Sequence, residues 1–344
     1  MNTKPSRDQV RSLHPKETMM NRKFRSLAVF AAVALNVICP VGTALAQSYP
    51  NRSITMIVPF GAGGGTDIIA RGVSEELSRA LKQPIIVEPR PGANGAIGSA
   101  LVARAAPDGY TMLFTAQSTY SLNPNLMKDP PFDQLKDLVP VASIGRSPWM
   151  LTVPMTSEFK SVADVIAYGK ANPGKLSFAY WQSSVLVTGE TFGHLTGVQM
   201  RKVPYKGQVE ATTDFLGGRL PIMFTDIAGG RPQVEAGTMR VLAVTSAKRS
   251  ALFPDVPTMR EVGLDIVTDS MIAVFAPSGT PRTILERVSL ELTKIIETSE
   301  SVRNRIKQLG LDPTTMTLAE IDAFVRSELP RWAEMIRRAG LEKN

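Results

Sequence analysis

Cysteine and histidine are nearly absent from this chain. Cys39 is the one thiol, and His14 and His194 are the two imidazoles in 344 residues. Zinc clusters need these residues in groups and Cys-His catalysis needs both partners, so both chemistries are excluded. His194 falls near the end of a helical stretch and reads as a surface or capping residue. There is also no G-x-S-x-G elbow, no Gly-Lys-Ser/Thr phosphate loop and no G-x-G-x-x-G dinucleotide spacing. No apolar run reaches the ~20 residues that a membrane-spanning helix requires.

The formal net charge of +8 is unevenly placed. Residues 1–46 carry Lys4, Arg7, Arg11, Lys16, Arg22, Lys23 and Arg25 against Asp8 and Glu17, so most of the surplus lies there. Such a distribution does not point to nucleic acid as a partner. Arg22-Lys23-Phe24-Arg25, the apolar run Leu27 to Ile38 and Ala44-Leu45-Ala46 have the order of a secretory signal peptide, which predicts cleavage after Ala46 and a periplasmic mature protein. The leader pattern begins at Met19 or Met20, which predicts that translation starts there. Cys39 lies inside the leader, and Ile38 before it is too large for a lipoprotein site. The mature chain is therefore expected to hold together by core packing alone.

What is present is an alternation of strands and helices. The run Ile54 to Phe60 meets the glycine cluster Gly61-Ala62-Gly63-Gly64-Gly65, then Thr66-Asp67, then apolar residues at Ile69, Val73, Leu77 and Leu81. This predicts strand, tight loop and helix, with Thr66 or Asp67 as the cap. The unpaired N–H groups of a first helical turn make an anion site, although a glycine cluster alone is equally compatible with a plain turn. Strands over Ile85–Glu88 and Tyr110–Thr115, with a helix over Ala96–Ala106, continue an α/β pattern of parallel units, in which ligands bind beyond the strand ends. At that edge Gln117, Ser118 and Thr119 offer hydroxyls and an amide, as ordinary loops also do.

Apolar stretches Val139–Ile144 and Met150–Val153, interrupted by Gly145-Arg146-Ser147-Pro148, mark a crossing into a second domain. There the pattern repeats: helix to Ala171, strand Leu176–Tyr180, helix Val185–Leu195, strand Met200–Val203, helix Glu210–Leu216, strand Leu220–Phe224, helix Ile227–Ala236 and strand Arg240–Thr245. Its strand-to-helix loops place Trp181, Gln182, Ser183 and Ser184, then Tyr205 and Lys206, then Asp226 beside the same cleft. Trp181 suits either stacking on a ligand or filling a gap, and Asp226 either capping a helix or touching a ligand. Met271–Phe275 is a further strand, and the helices after it must cover the first sheet. Two chain crossings would form a hinge. The expected division is 1–46 as extension and signal peptide, 47–147 with 271–344 as the first domain, and 148–270 as the second.

These residues carry a family resemblance. Val58-Pro59-Phe60 with Gly63-Gly64-Gly65-Thr66-Asp67, Arg90-Pro91-Gly92-Ala93, Ala105-Ala106-Pro107-Asp108-Gly109-Tyr110, Val203-Pro204-Tyr205-Lys206-Gly207 and Pro254-Asp255-Val256-Pro257-Thr258 resemble the Bug family, periplasmic receptors of tripartite tricarboxylate transporters. The resemblance spans nearly the whole mature chain. It implies a two-lobed periplasmic-binding-protein (Venus flytrap) fold, each lobe a mainly parallel sheet flanked by helices. It also implies a monomer without cofactor that closes on a small carboxylate between Phe60–Asp67 and Trp181–Ser184 and passes it to membrane permease subunits. Leu186 stands where the family often has histidine and Met271 where an aromatic is frequent, which implies a ligand other than the common dicarboxylates. An exported enzyme acting on a small anion, or a sensory receptor feeding a kinase, is the competing reading.

Overall fold

The computed structural model describes residues 49–343, so the expected leader lies outside the described residues. The chain opens with β1 (Ile54–Val58), α1 (Gly65–Leu81), β2 (Ile85–Pro89), α2 (Ala96–Ala103) and β3 (Thr111–Ala116). β1 pairs in parallel with both β2 and β3, as the alternation of strand and helix requires. Helix α1 buries the stripe Ile69, Val73, Leu77 and Leu81. Its N-cap is Gly64, with no side-chain cap, rather than the expected Thr66 or Asp67. A side-chain cap is worth about 1 kcal/mol, whereas each buried aliphatic of the stripe contributes about 1.5–3 kcal/mol, so packing sets this helix.

After β3 the expected open loop is a buried π-helical turn, Ser118–Leu122, continued by the short α3 (Asn123–Leu126). The largest departure follows it. Where two apolar stretches were expected, one strand, β4 (Leu138–Pro154), runs unbroken through Gly145-Arg146-Ser147-Pro148. The glycine and proline that suggested an interruption are absorbed by bulges and by a change of partner.

The second lobe contains α4 (Val162–Ala171), β5 (Leu176–Tyr180), α5 (Ser183–Thr196), β6 (Met200–Pro204), α6 (Gln208–Leu216), β7 (Met223–Asp226), α7 (Ile227–Glu235) and β8 (Met239–Val244). Ser161 and Asp164 form the expected capping box on α4. β5 and β6 are parallel, and a parallel bridge from Phe178 to Ile222 leads toward β7. β7 begins and ends later than expected because its partner is β4, from Thr152↔Met223 to Trp149↔Asp226. β8 lies on the other side of β4. The chain then returns through β9 (Asp269–Pro277), α8 (Arg282–Thr298), α9 (Glu300–Gln308), β10 (Asp312–Pro313) and α10 (Leu318–Arg338).

β9 joins β3 to β4, so the first lobe reads β2-β1-β3-β9-β4-β10. Each lobe is thus a set of parallel strands completed by antiparallel crossing strands. From Leu138 to Pro148, β4 pairs with β9; from Trp149 it pairs with β7, and from Met150 with β8. Pro148 sits at the switch, where a strand tolerates a missing N–H most easily. The helices after β9 cover the first sheet as expected. Leu285, Val288, Leu292 and Ile296 of α8 join the core under β1 and β3, and Ile321 and Val325 of α10 pack on its other face with Ile57, Leu113 and Phe275.

Helix α10 continues through Pro330, and its Trp332 and Ile336 pack with Leu122 and Leu126 of the first lobe and with Val187 of α5 in the second. Glu328, buried beneath it, accepts from the indole Nε1 of Trp332 at 3.0 Å and also from Gln117 Nε2. Replacing Trp332 by Ala is expected to lower unfolding free energy by about 3–5 kcal/mol in urea titrations. An unchanged midpoint would mean that the helix end carries none of the packing described.

Candidate functional site

The glycine cluster brings the two lobes into backbone contact. A side-chain Cβ at Gly61 would stand 3.3 Å from the Gly207 Cα, and one at Gly65 would stand 2.1 Å from Asp226 Oδ1. Only glycine allows this approach at residue 65, because any larger residue would displace a buried carboxyl. The Gly65 amide donates to Gln208 Oε1 at 3.0 Å across the lobes, and Gln208 Nε2 donates to Thr225 Oγ1 at 2.5 Å. Asp67 reaches back to accept from the Gly63 amide at 2.9 Å and pairs with Arg71 at 3.0 Å. The Gly64 amide donates to the Gly61 carbonyl at 3.3 Å, so three amides of the loop are engaged by the protein itself.

Behind this contact lies a small enclosed space of about 10 Å³ lined by Thr66, Ile69, Ala116, Ser147, Trp149, Gln182, Asp226, Ser270 and Ile272. The wall comes from α1, the end of β3, the middle of β4, the start of α5, the end of β7 and β9. Its centre is one face of β4. Ser147 and Trp149 are two residues apart and so project to the same side. Ser147 is paired with Ser270 of β9, and Trp149 with Asp226 of β7. Directly paired residues hold their Cβ atoms roughly 4.5–5.5 Å apart on one face, so these four side chains form a single polar patch.

Two atoms in that patch have no partner. Ser147 Oγ and Trp149 Nε1 are buried without a hydrogen bond, although their residues are only 3% and 1% exposed. Leaving such groups unpaired costs about 1–3 kcal/mol each, and an indole N–H can do nothing but donate. The patch is built to meet an acceptor.

A model of the receptor of the tripartite tricarboxylate transporter family matches residues 69–341. The chain belongs to this family. BugT of Bordetella pertussis is 34% identical over 325 residues, covering 93% of this chain and 98% of BugT. Among solved structures, an R. palustris protein with adipate superposes with a TM-score of 0.83 at 30% identity, covering 86% of this chain and 100% of that one. The periplasmic binding protein BugD gives 0.82 at 31% identity, covering 86% of this chain and 100% of BugD. The receptor fold and the two-lobed architecture follow from these likenesses.

Within this family member, the residues expected from sequence divide into groups. Thr66, Gln182 and Asp226 line the cavity, and Ser118 Oγ donates to Gln182 Oε1 at 3.1 Å from the opposite lobe. Gly61, Gly64 and Gly65 form the lobe contact, while Ala62 and Gly63 are exposed. Phe60 is in the first core. Gln117 serves Glu328 and the Met271 amide, and Thr119 bonds to Thr115 at 2.8 Å, so both brace the turn. Trp181 fills a gap, packing edge-on to Trp149 with ring centroids 6.4 Å apart. Ser183 bonds to Asn123 across the lobes, whereas Ser184 Oγ is buried without a partner. Tyr205 donates to Asp214 at 2.8 Å, and Lys206 is exposed.

Sequence reasoning missed Ser147, Trp149, Ser270 and Gln208. Ser147 lay in the stretch read as an interruption and Trp149 directly after it, and nothing in a single sequence reports that a strand changes partners there. Among the described residues no cluster of three or more His, Cys, Asp or Glu could hold a metal ion, and no helix is long and apolar enough to cross a membrane.

Asp226 caps α7, accepting from the Gly229 amide at 2.7 Å. Burial pushes its carboxyl up to about 6, against the pull of hydrogen bonds from Gly229 and Gln208. The native protein therefore holds a proton on Asp226 in a range where the unfolded chain has released it, and stability falls as pH rises from about 4 to 6. The ionised, unliganded state at pH 7 carries a cost on the order of 3 kcal/mol. Asn caps a helix as well as Asp does. In the unliganded protein, Asp226→Asn is expected to raise the melting temperature at pH 7 and to leave it nearly unchanged at pH 4, read by calorimetry at both values.

Proposed function

We propose that this receptor binds one small carboxylated solute in the cavity on β4 and hands the closed complex to the membrane permease of a tripartite tricarboxylate transporter. The observation that carries the reading is the pair of buried, unpartnered groups, Ser147 Oγ and Trp149 Nε1, on residues that line the space between the lobes. The solved R. palustris relative holds adipate, a carboxylate. A helix N-terminus supplies only about 0.3–2 kcal/mol toward an anion, while micromolar binding needs about 8 kcal/mol. Convergent donors from β4, β9, α1 and α5, with water expelled by lobe closure, supply the remainder. The enclosed space of about 10 Å³ holds roughly one water, so the lobes part to admit the solute.

In this reading residues 47–147 and 271–344 form one lobe and 148–270 the other, with β4 and β9 as the hinge strands. The protein is exported through its leader, cleaved after Ala46, and acts in the periplasm as a monomer without a cofactor. We read it as a receptor and not an enzyme because the matching family model is that of a transporter receptor and BugD is a periplasmic binding protein. Of the residues expected from sequence, Thr66, Gln182 and Asp226 contact the solute. Ser147, Trp149 and Ser270 join them.

Titration calorimetry against mono-, di- and tricarboxylates tests this, with a neutral sugar as control. A carboxylate is expected to bind at micromolar concentration or tighter without turnover. Trp149→Phe keeps an aromatic side chain, smaller than the indole, and removes the N–H, and is expected to weaken binding about tenfold, equivalent to ~1.4 kcal/mol. Binding of the sugar alone, or conversion of the carboxylate to a product, would displace the reading.

A further inference from the structure

The enclosed space beside β4 holds roughly one water, and even acetate is larger than that. The lobes as they meet here therefore exclude a carboxylated solute, and whatever holds them in this contact works against binding. The contact sets the first turn of α6 against the loop that leads into α1. Gly207 and Gly61 approach so closely that a Cβ on either would stand 3.3 Å from the other's Cα, and a Cβ on Gly63 would stand 3.4 Å from Val209 Cγ2. Gln208, only 3% exposed, supplies a hydrogen bond across it.

Both ends of the Gln208 carboxamide are in use. Nε2 donates to Thr225 Oγ1 on the same lobe, and Oε1 accepts from the Gly65 amide of the other lobe at 3.0 Å. That amide is the first of α1 and has no partner within its own helix, so it is free for an acceptor. Glycines make the seat on both sides: a Cβ at Gly229 would stand 2.1 Å from Gln208 Nε2, and one at Gly64 would stand 3.6 Å from Oε1. The bond to Thr225 lies within the second lobe and survives when the lobes part, whereas the bond to Gly65 breaks. A carboxamide already held in place loses little freedom when that bond forms again. We infer that Gln208 is an autoinhibitory latch, whose carboxamide takes the first amide of α1 and holds the solute-free receptor in a closed form that must release before a carboxylate enters. This rests on the receptor reading above, and adds to it a competitor built into the chain. The latched fraction is lost to binding, so the apparent dissociation constant is the intrinsic one divided by the unlatched fraction.

Gln208→Ala removes the latch and leaves β4 and the glycine cluster unchanged. Small-angle X-ray scattering of the purified protein without solute is expected to give a compact particle, and Gln208→Ala a larger radius of gyration. A parent protein already as expanded as the variant would overturn the inference, whichever acids bind. Calorimetry with acetate, succinate, adipate and citrate supplies the second arm. An acid that binds is expected to bind Gln208→Ala about three- to tenfold more tightly than the parent, with the gain in the association rate read by stopped-flow tryptophan fluorescence. Removing a residue that only braced the fold or touched the solute would weaken binding, so the sign of the change separates the readings. Unchanged or weaker binding by a variant with native circular dichroism would overturn the latch while leaving the receptor reading in place. Gln208→Asn keeps an amide one methylene too short to reach Gly65, and is expected to match Gln208→Ala; it carries the same comparison should the alanine variant fail to fold. Binding of no acid by either protein would overturn the receptor reading and the autoinhibitory role with it.

Discussion

The structure depends on one strand belonging to two sheets. β4 pairs with β9 as far as Pro148 and with β7 and β8 beyond it, so its backbone is committed to both lobes within two residues. The switch is fastened by Thr245, whose hydroxyl accepts from the Trp149 amide at 2.9 Å and whose own amide donates to the Trp149 carbonyl at 2.8 Å. Because side chains alternate strictly along a strand, this fastening also fixes which residues face the cavity. A one-residue slip would turn Ser147 and Trp149 away and present Arg146 and Pro148 in their place. The site is thus set by the register of the sheet more than by any loop.

The local periods were legible in the sequence, and the partner change was not. Ile69, Val73, Leu77 and Leu81 announce α1 through their four-residue spacing, and the capping box at Ser161 and Asp164 announces α4. Both depend on contacts within a few residues. β4 is different in kind: Gly145 and Pro148 look like breakers until the partner strands, more than seventy positions away in sequence, are in place. The same distinction runs through the site. Thr66, Gln182 and Asp226 stand at strand or helix ends, where ligand contacts are expected from topology, and all three line the cavity. Ser147, Trp149 and Ser270 lie within strands, where polar residues read as incidental. Tyr205 follows a strand end too, yet its hydroxyl is committed to Asp214.

The electrostatics of the cavity are those of neutral dipoles around one buried acid. Amides from Gln182, hydroxyls from Thr66, Ser147 and Ser270 and the Trp149 indole can orient toward a charge without carrying one. Such groups hold an anion with little long-range attraction, so capture depends on enclosure, and enclosure is governed where the lobes meet, at Gly61–Gly207 and Gly65–Gln208. Dipoles are worth most when water is excluded. The glycine cluster accordingly serves the site by letting the lobes touch, as much as by exposing its own amides.

Helix α10 places a mechanical condition on that enclosure. At 21 residues it is about 31 Å long, reaching from Ile321 on the first sheet to Ile336 against Leu122 and Val187. A rod fastened at both ends resists separation of the bodies it joins. Opening must draw Trp332 out of its seat or flex the rod itself, and Pro330 supplies the weak link, since it cannot donate to the carbonyl of Arg326 one turn back. The compliance of the whole clamp is therefore concentrated in a single turn far from the solute, two residues from the side chain that anchors it.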